Sequence, residues 1–243
     1  MPLLNRFIAP SIIVTAGLIL CTLIISISWK QHREANQSIA VTGSAKRQIT
    51  ADLGILRGIL NTEGVTAQIA FENLERQKPL LLAYLRDNGF SQDQVKFFPV
   101  NSWTNQEYNA QGMPTGSIRS VSYSQRFEIQ SNDVKLISRL SLDMAALIRK
   151  GVNIYIEMPE YYFTSLAELK VAIQADAAKD AMLRAEEIAK ATGRKLGILT
   201  SARMGVIQIT PLNSNMITDY GVNDVSSIEK EITGVVNASF LIQ

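Results

Sequence analysis

The chain contains one cysteine and one histidine in 243 residues. Cys21 sits inside an uncharged apolar run, so the sequence beyond that run has no disulfide and no thiol chemistry. His32 stands just after the run, which leaves no histidine-based triad and removes most zinc sites. A strong charge of one sign is also lacking. Of the 24 Lys and Arg, all but Arg6, Lys30 and Arg33 lie beyond Glu34, and all 22 Asp and Glu lie at or beyond it, leaving a net charge of −1. That balance offers no electrostatic footprint for nucleic acid. The G-x-S-x-G nucleophile elbow, the phosphate-binding G-x-x-x-x-G-K-[ST] loop and the dinucleotide fingerprint are all missing.

What is present begins with 23 residues free of charge, 7–29 (FIAPSIIVTAGLILCTLIISISW), between Arg6 and Lys30. As a helix this run extends roughly 34 Å, enough to cross a bilayer core. Pro10 suits a first helical turn, and Trp29 suits the headgroup region ahead of Lys30, His32 and Arg33. The expected layout is a short tail (1–6), a transmembrane anchor (7–29), a polar stalk (30–37) and one water-soluble domain (38–243). The competing reading is a cleaved signal with Ser26-Ile27-Ser28 as its site. Lys30, Arg33, Lys46 and Arg47 outnumber Arg6, a bias that alone favours a cytoplasmic domain. The rule weakens for long translocated domains.

Residues 38–46 and 52–62 read as two strands, the second alternating Leu53, Ile55 and Ile59 against a face with Gly54 and Gly58. Glycines at those positions point to a bulge or to close packing by another element. A helix is expected over 66–88, with Phe71, Leu74, Leu81, Leu82 and Leu85 inward, an Asn88-Gly89 stop, and a kink or break at Pro79. Strands at 95–103 and 118–130 follow, joined by a long polar loop, 104–117. A second helix spans 134–150 with Val134, Ile137, Leu140, Leu147 and Ile148 inward, then a strand at 152–158. The third helix opens on the capping box Ser165-x-x-Glu168 and closes at Gly193, with Ala177, Ala181, Ala185 and Ala189 recurring every fourth residue. That row of small residues permits close approach of a neighbouring element. A strand at 196–209, a loop at 211–230 and a strand at 231–242 complete the order ββαββαβαββ. This is an α+β domain of mainly antiparallel strands with about three helices.

Val41-Thr42-Gly43-Ser44-Ala45, Leu85-Arg86-Asp87-Asn88-Gly89-Phe90 and the alanine-spaced stretch 177–197, ending Ala189-Lys190-Ala191-Thr192-Gly193-Arg194-Lys195-Leu196-Gly197, together resemble the SIMPL-domain family. The resemblance covers residues 38–243. It implies an α+β domain exported across a bacterial inner membrane, held outside the cytoplasm, with a tendency to form ring-like oligomers. It brings no catalytic residue, cofactor or metal ligand.

Four constellations remain as candidates. Ser227-Ile228-Glu229-Lys230 matches the serine–lysine S-x-x-K pattern, at a frequency chance supplies and without the companion motifs. Glu157 and Glu160 flank Met158-Pro159 ahead of Tyr161-Tyr162-Phe163. They suit either an acid–base pair in a sugar or peptide cleft, or a solvated turn. Asp176 and Asp180 share a helix face with Lys179 and Arg184, as on a solvated surface. Trp103, Tyr108 and Met113 place large apolar groups in the 104–117 region, a contact surface or an ordinary hairpin loop. The expected function is a noncatalytic, membrane-anchored, self-associating scaffold or envelope-stress protective protein, with no catalytic, metal or cofactor residue. Its alternative is an envelope hydrolase or ligand-binding module using Glu157/Glu160 or Ser227/Lys230.

Overall fold

The computed structural model describes residues 15–26 and 37–242. Residues 15–26 form a helix, α1, with exposed side chains. The remainder of the expected span, 7–14 and 27–29, lies outside the described residues, as do the tail and most of the stalk. Among the described residues no helix is long and apolar enough to cross a membrane.

Beyond α1 the order is β1 (Ser38–Thr50), β2 (Leu53–Gly64), α2 (Ala67–Asp87), β3 (Val95–Tyr108), β4 (Pro114–Ser131), α3 (Val134–Asp143), β5 (Ile154–Ile156), β6 (Glu160–Tyr162), α4 (Leu166–Ala191), β7 (Leu196–Met204), β8 (Gln208–Pro211) and β9 (Glu229–Ile242). The α+β class stands, with mostly antiparallel strands. Two expected strands change: 152–158 shortens to β5, with β6 as a further strand after it, and 196–209 divides into β7 and β8. Met144–Lys150 is a 3₁₀ extension of α3 rather than α-helix, closed by Gly151 at φ 82°. Ile148, expected inward, is exposed.

The residues cluster into two compact units. The larger takes 47–169 and 208–232, and the smaller takes the described residues of 1–46, 170–207 and 233–243. In the larger unit β3-β4-β2-β5 form an antiparallel sheet, with β6 also pairing β2. One face carries Gly54, Leu56, Gly58, Leu60 and Thr62 of β2, all buried. This is the face opposite to Leu53, Ile55 and Ile59, so the glycine side is the core side. The reason is Phe127. It is the cross-strand partner of Gly58, and a Cβ on Gly58 would lie 2.5 Å from its ring. The glycine leaves room for an aromatic that is fully buried. Leu74, Leu81 and Leu85 of α2 and Ile137 and Leu140 of α3 complete this core. Each such side chain contributes roughly 1.5–3 kcal/mol on burial.

Helix α2 starts at Thr66, whose hydroxyl accepts the Ile69 N–H. It runs through Pro79 as one helix rather than two. Pro79 is exposed, and its missing N–H leaves the Glu75 carbonyl without its helical partner on the solvent-facing side of the helix, where Glu75 is exposed as well. At its end Phe90 donates its N–H to the Leu85 carbonyl (3.0 Å), with Gly89 at φ 90°, a left-handed stop that buries Phe90.

In the smaller unit, β1, β9 and β7 lie side by side and α4 packs on them. The row Ala177, Ala181, Ala185 and Ala189 is buried as its spacing predicts. Ala177, Ala181 and Ala185 meet Val41, Val236, Ala238 and Phe240. A Cβ on Gly43 would lie 2.3 Å from both the Ala177 carbonyl oxygen and the Ala181 nitrogen. Only glycine permits that contact between helix backbone and strand. Two of the stretches that carry the family resemblance, 41–45 and 177–197, are therefore the two halves of one interface.

Candidate functional site

The richest cluster of charge lies on the second face of the larger unit's sheet. Arg57 is the one charged residue in the β2 stretch Gly54–Leu60. Strand alternation places it opposite the buried leucines, and the antiparallel register sets it directly across from Glu128 of β4. Its Nε donates to Glu128 Oε2 and its Nη1 to Glu160 Oε2, both at 2.7 Å. Tyr162 donates its hydroxyl to the same Glu160 oxygen (2.6 Å), and Gln130 donates its amide to Glu128 (2.8 Å). One strand pair away, Arg126 Nη2 donates to both Glu157 oxygens at 2.7 Å.

The electrostatics run one way. The Tyr162 and Arg57 hydrogen bonds hold the Glu160 carboxyl below its ordinary range. Burial pushes Glu128 upward, but hydrogen bonds from Arg57 and Gln130 outweigh it and the net shift is downward. The hydrogen bond to Glu128 leads in raising the Arg57 guanidinium. A general acid needs the opposite, a carboxyl pushed up toward neutrality. Glu157 and Glu160 do reach the same face, but each is committed to an arginine. Sequence reasoning missed Arg57, Arg126 and Glu128. A lone arginine inside Gly54–Leu60 was the available signal; its partners depended on a register that no local pattern encodes.

Ser227 and Lys230 meet at a third residue, Asp224. Lys230 is 2% exposed and donates its ammonium to the Asp224 carbonyl oxygen (2.6 Å) and to Oδ2 (3.1 Å). Ser226 donates N–H and hydroxyl to Oδ1, and Ser227 donates its N–H to Oδ2. Burial pushes the Asp224 carboxyl up, yet the Ser226, Lys230 and Ser227 hydrogen bonds bring it down to about 2. Burial lowers Lys230 against the opposing pull of Asp224. A serine–lysine nucleophile needs a lysine nitrogen free to take the serine proton. Here that nitrogen is a buried donor clamping a loop.

The aspartates of α4 also separate in role. Asp180 accepts the Ser44 N–H of β1 and the Arg184 Nε, both at 2.8 Å, and the Ser44 bond leads in holding its carboxyl low. Asp176 is 3.7 Å from Lys179. Among the described residues no group of three or more His, Cys, Asp or Glu could hold a metal ion.

The expected loop 104–117 is largely strand: β3 continues to Tyr108 and β4 begins at Pro114. Asn109 makes the turn, its side-chain oxygen accepting the N–H groups of Gln111 and Met113. Trp103, Tyr108, Met113 and Ile118 are all exposed on this arm.

Comparison with known proteins gives one strong result. No curated protein matches the chain. A solved structure of a candidate amidohydrolase/peptidase from Burkholderia cenocepacia is similar over 50% of this chain and 29% of its own length, at 12% identity and a TM-score of 0.22. A likeness that slight carries no argument. A family model does match, over residues 39–240. The chain belongs to the SIMPL family, described as a protein of unknown function (DUF541).

Proposed function

We propose that this protein is a noncatalytic scaffold, anchored in a bacterial inner membrane by residues 7–29, that self-associates outside the cytoplasm in an envelope-protective role. The observation that carries the self-association is the outer half of the β3–β4 hairpin. No residue from 101 to 119 is buried, yet this two-stranded arm presents Trp103, Tyr108, Met113 and Ile118. A lone pair of strands is marginal in water, and exposed apolar groups clustered on one arm mark a contact surface. The carboxylates that a hydrolase would use are neutralised by Arg57 and Arg126 instead. Anchoring is supported by the length of the uncharged run, and the outside location by the family resemblance.

A reporter fused after Gln243 tests the placement. Activity of a reporter that works only in the periplasm supports it, and activity of a cytoplasm-only reporter removes it. Replacing Trp103, Tyr108 and Met113 together by Ser tests the arm: the full chain in a mild detergent should lose mass with its circular dichroism unchanged.

A further inference from the structure

Strand β2 outruns β5. The pairing covers Gly58, Ile59 and Leu60, and the Asn61 N–H to the Asn153 carbonyl (2.9 Å) ends it. The return bond of that last pair is taken by a side chain of α2. Gln77, buried, accepts the Asn153 N–H (2.9 Å) and donates its amide to the Asn61 carbonyl (3.3 Å). One helical turn earlier, Asn73 donates to the Glu63 carbonyl (3.2 Å). Residues four apart on a helix are spaced much like residues two apart on a strand, so the pair reaches alternate carbonyls of the open edge. A recess of about 370 Å³ lies at this edge, lined by Asn61, Glu63, Asn73, Arg76, Gln77 and Asn153 together with Leu80.

Asn61 and Asn153 also belong to a row that crosses the sheet. The register sets Asn153, Asn61, Ser124 of β4 and Asn101 of β3 side by side on the face that carries Arg57. Three strand intervals make the row about 14 Å long. Among the described residues none of these four side chains has a hydrogen-bond partner. Tyr155, on the same face as its partner Ile59, is 60% exposed. Charge is balanced throughout. The charged lining residues of the recess are Glu63 and Arg76, one of each sign, and Arg126 beside the row is held by Glu157.

We propose that this recess and row form a binding site for a neutral oligosaccharide. A side-chain amide both donates and accepts, as does a sugar hydroxyl, so uncommitted Asn side chains at strand spacing suit a ligand with hydroxyls repeated along its length. Tyr155 offers a ring face to the apolar side of a sugar, with a polar tip for its rim. The balanced charge excludes a polyanion, which needs a surplus of Lys and Arg. Because Gln77 and Asn73 already fix the recess, little ordering is left for binding to impose. The site is separate from the arm of Trp103, Tyr108 and Met113, and it goes beyond the scaffold reading without resting on it.

Calorimetric titration of the full chain with chitotetraose, cellotetraose and maltotetraose tests it, in a detergent whose headgroup is not a sugar. At least one should bind, with an affinity that is the same in low and high salt, as a neutral ligand requires. Asn153→Ala and Tyr155→Ala alter exposed side chains, and unchanged circular dichroism confirms that they fold. Each should weaken binding by about tenfold, and so should Asn61→Ala. Replacing Trp103, Tyr108 and Met113 by Ser should leave binding intact, whatever it does to the mass of the assembly. The site is overturned if none of the three tetrasaccharides binds, or if binding survives all three Ala substitutions. Tighter binding of tetraglycine than of any tetrasaccharide would overturn it in favour of a peptide site. Loss of sugar binding in the Ser variant would overturn it by moving the contact to the arm.

Discussion

The two units solve the same packing problem with opposite materials. The larger fills its core with bulk: Phe127, Leu56, Leu60, Leu74, Ile129, Ile137 and Met144 are buried to 2% exposure or less. The smaller brings backbones together, with the alanine row of α4 lying on Gly43 closely enough that one methyl group would meet helix backbone. Large side chains gain more transfer energy each, but a gap among them is costly. Close backbone packing draws less on area and tolerates no addition. The larger unit should therefore be sensitive to removal of bulk as well as to addition at Gly58, whereas the smaller should be sensitive mainly to addition at Gly43.

Phe127→Ala should produce the largest loss, about 3–5 kcal/mol, since it empties the space that Gly58 leaves for the ring. Denaturant unfolding checks it. A loss under about 1 kcal/mol would mean that this core collapses freely, breaking the contrast from one side. Gly43→Ala should cost about 3 kcal/mol, at the upper end for overpacking, because the obstacle is backbone that cannot rotate away. A neutral result there would show that α4 shifts outward without penalty. The smallest effect is electrostatic and falls in the larger unit. Asp224 is held at about 2 against an ordinary 3.8. A depressed carboxyl stabilises above its unfolded value and loses that contribution as pH falls through the folded one. Stability should therefore drop by about 2 kcal/mol between pH 4 and pH 2, a step that Asp224→Asn removes.

Parts of this fold were legible from local pattern. The four-residue alanine spacing of α4, the Asn88-Gly89 stop and the final strand expected at 231–242 each depend on neighbours within a turn or a strand, and each stands. What stayed hidden depends on distant partners. The glycine face of β2 reads as the weaker face until Phe127 is laid across it. The hairpin arm reads as loop because Asn, Gln, Ser and Thr give no apolar alternation, although their backbones pair. Glu160-Tyr161-Tyr162 is too short to signal a strand without β2 beside it. The candidate site shows the same division: Glu157 and Glu160 were visible as a pair, while the arginines that neutralise them arrive only through sheet register. Ser227 and Lys230 fit a catalytic spacing, and Asp224 between them turns that spacing into a loop clamp.

Self-association is the claim on which the functional reading depends. The native mass of the full chain, measured in a mild detergent across a hundredfold dilution, tests it most directly. A species of several copies at high concentration that dissociates on dilution is expected, and it should dissociate sooner when Trp103, Tyr108 and Met113 are replaced together by Ser. A single-copy mass at every concentration would contradict it.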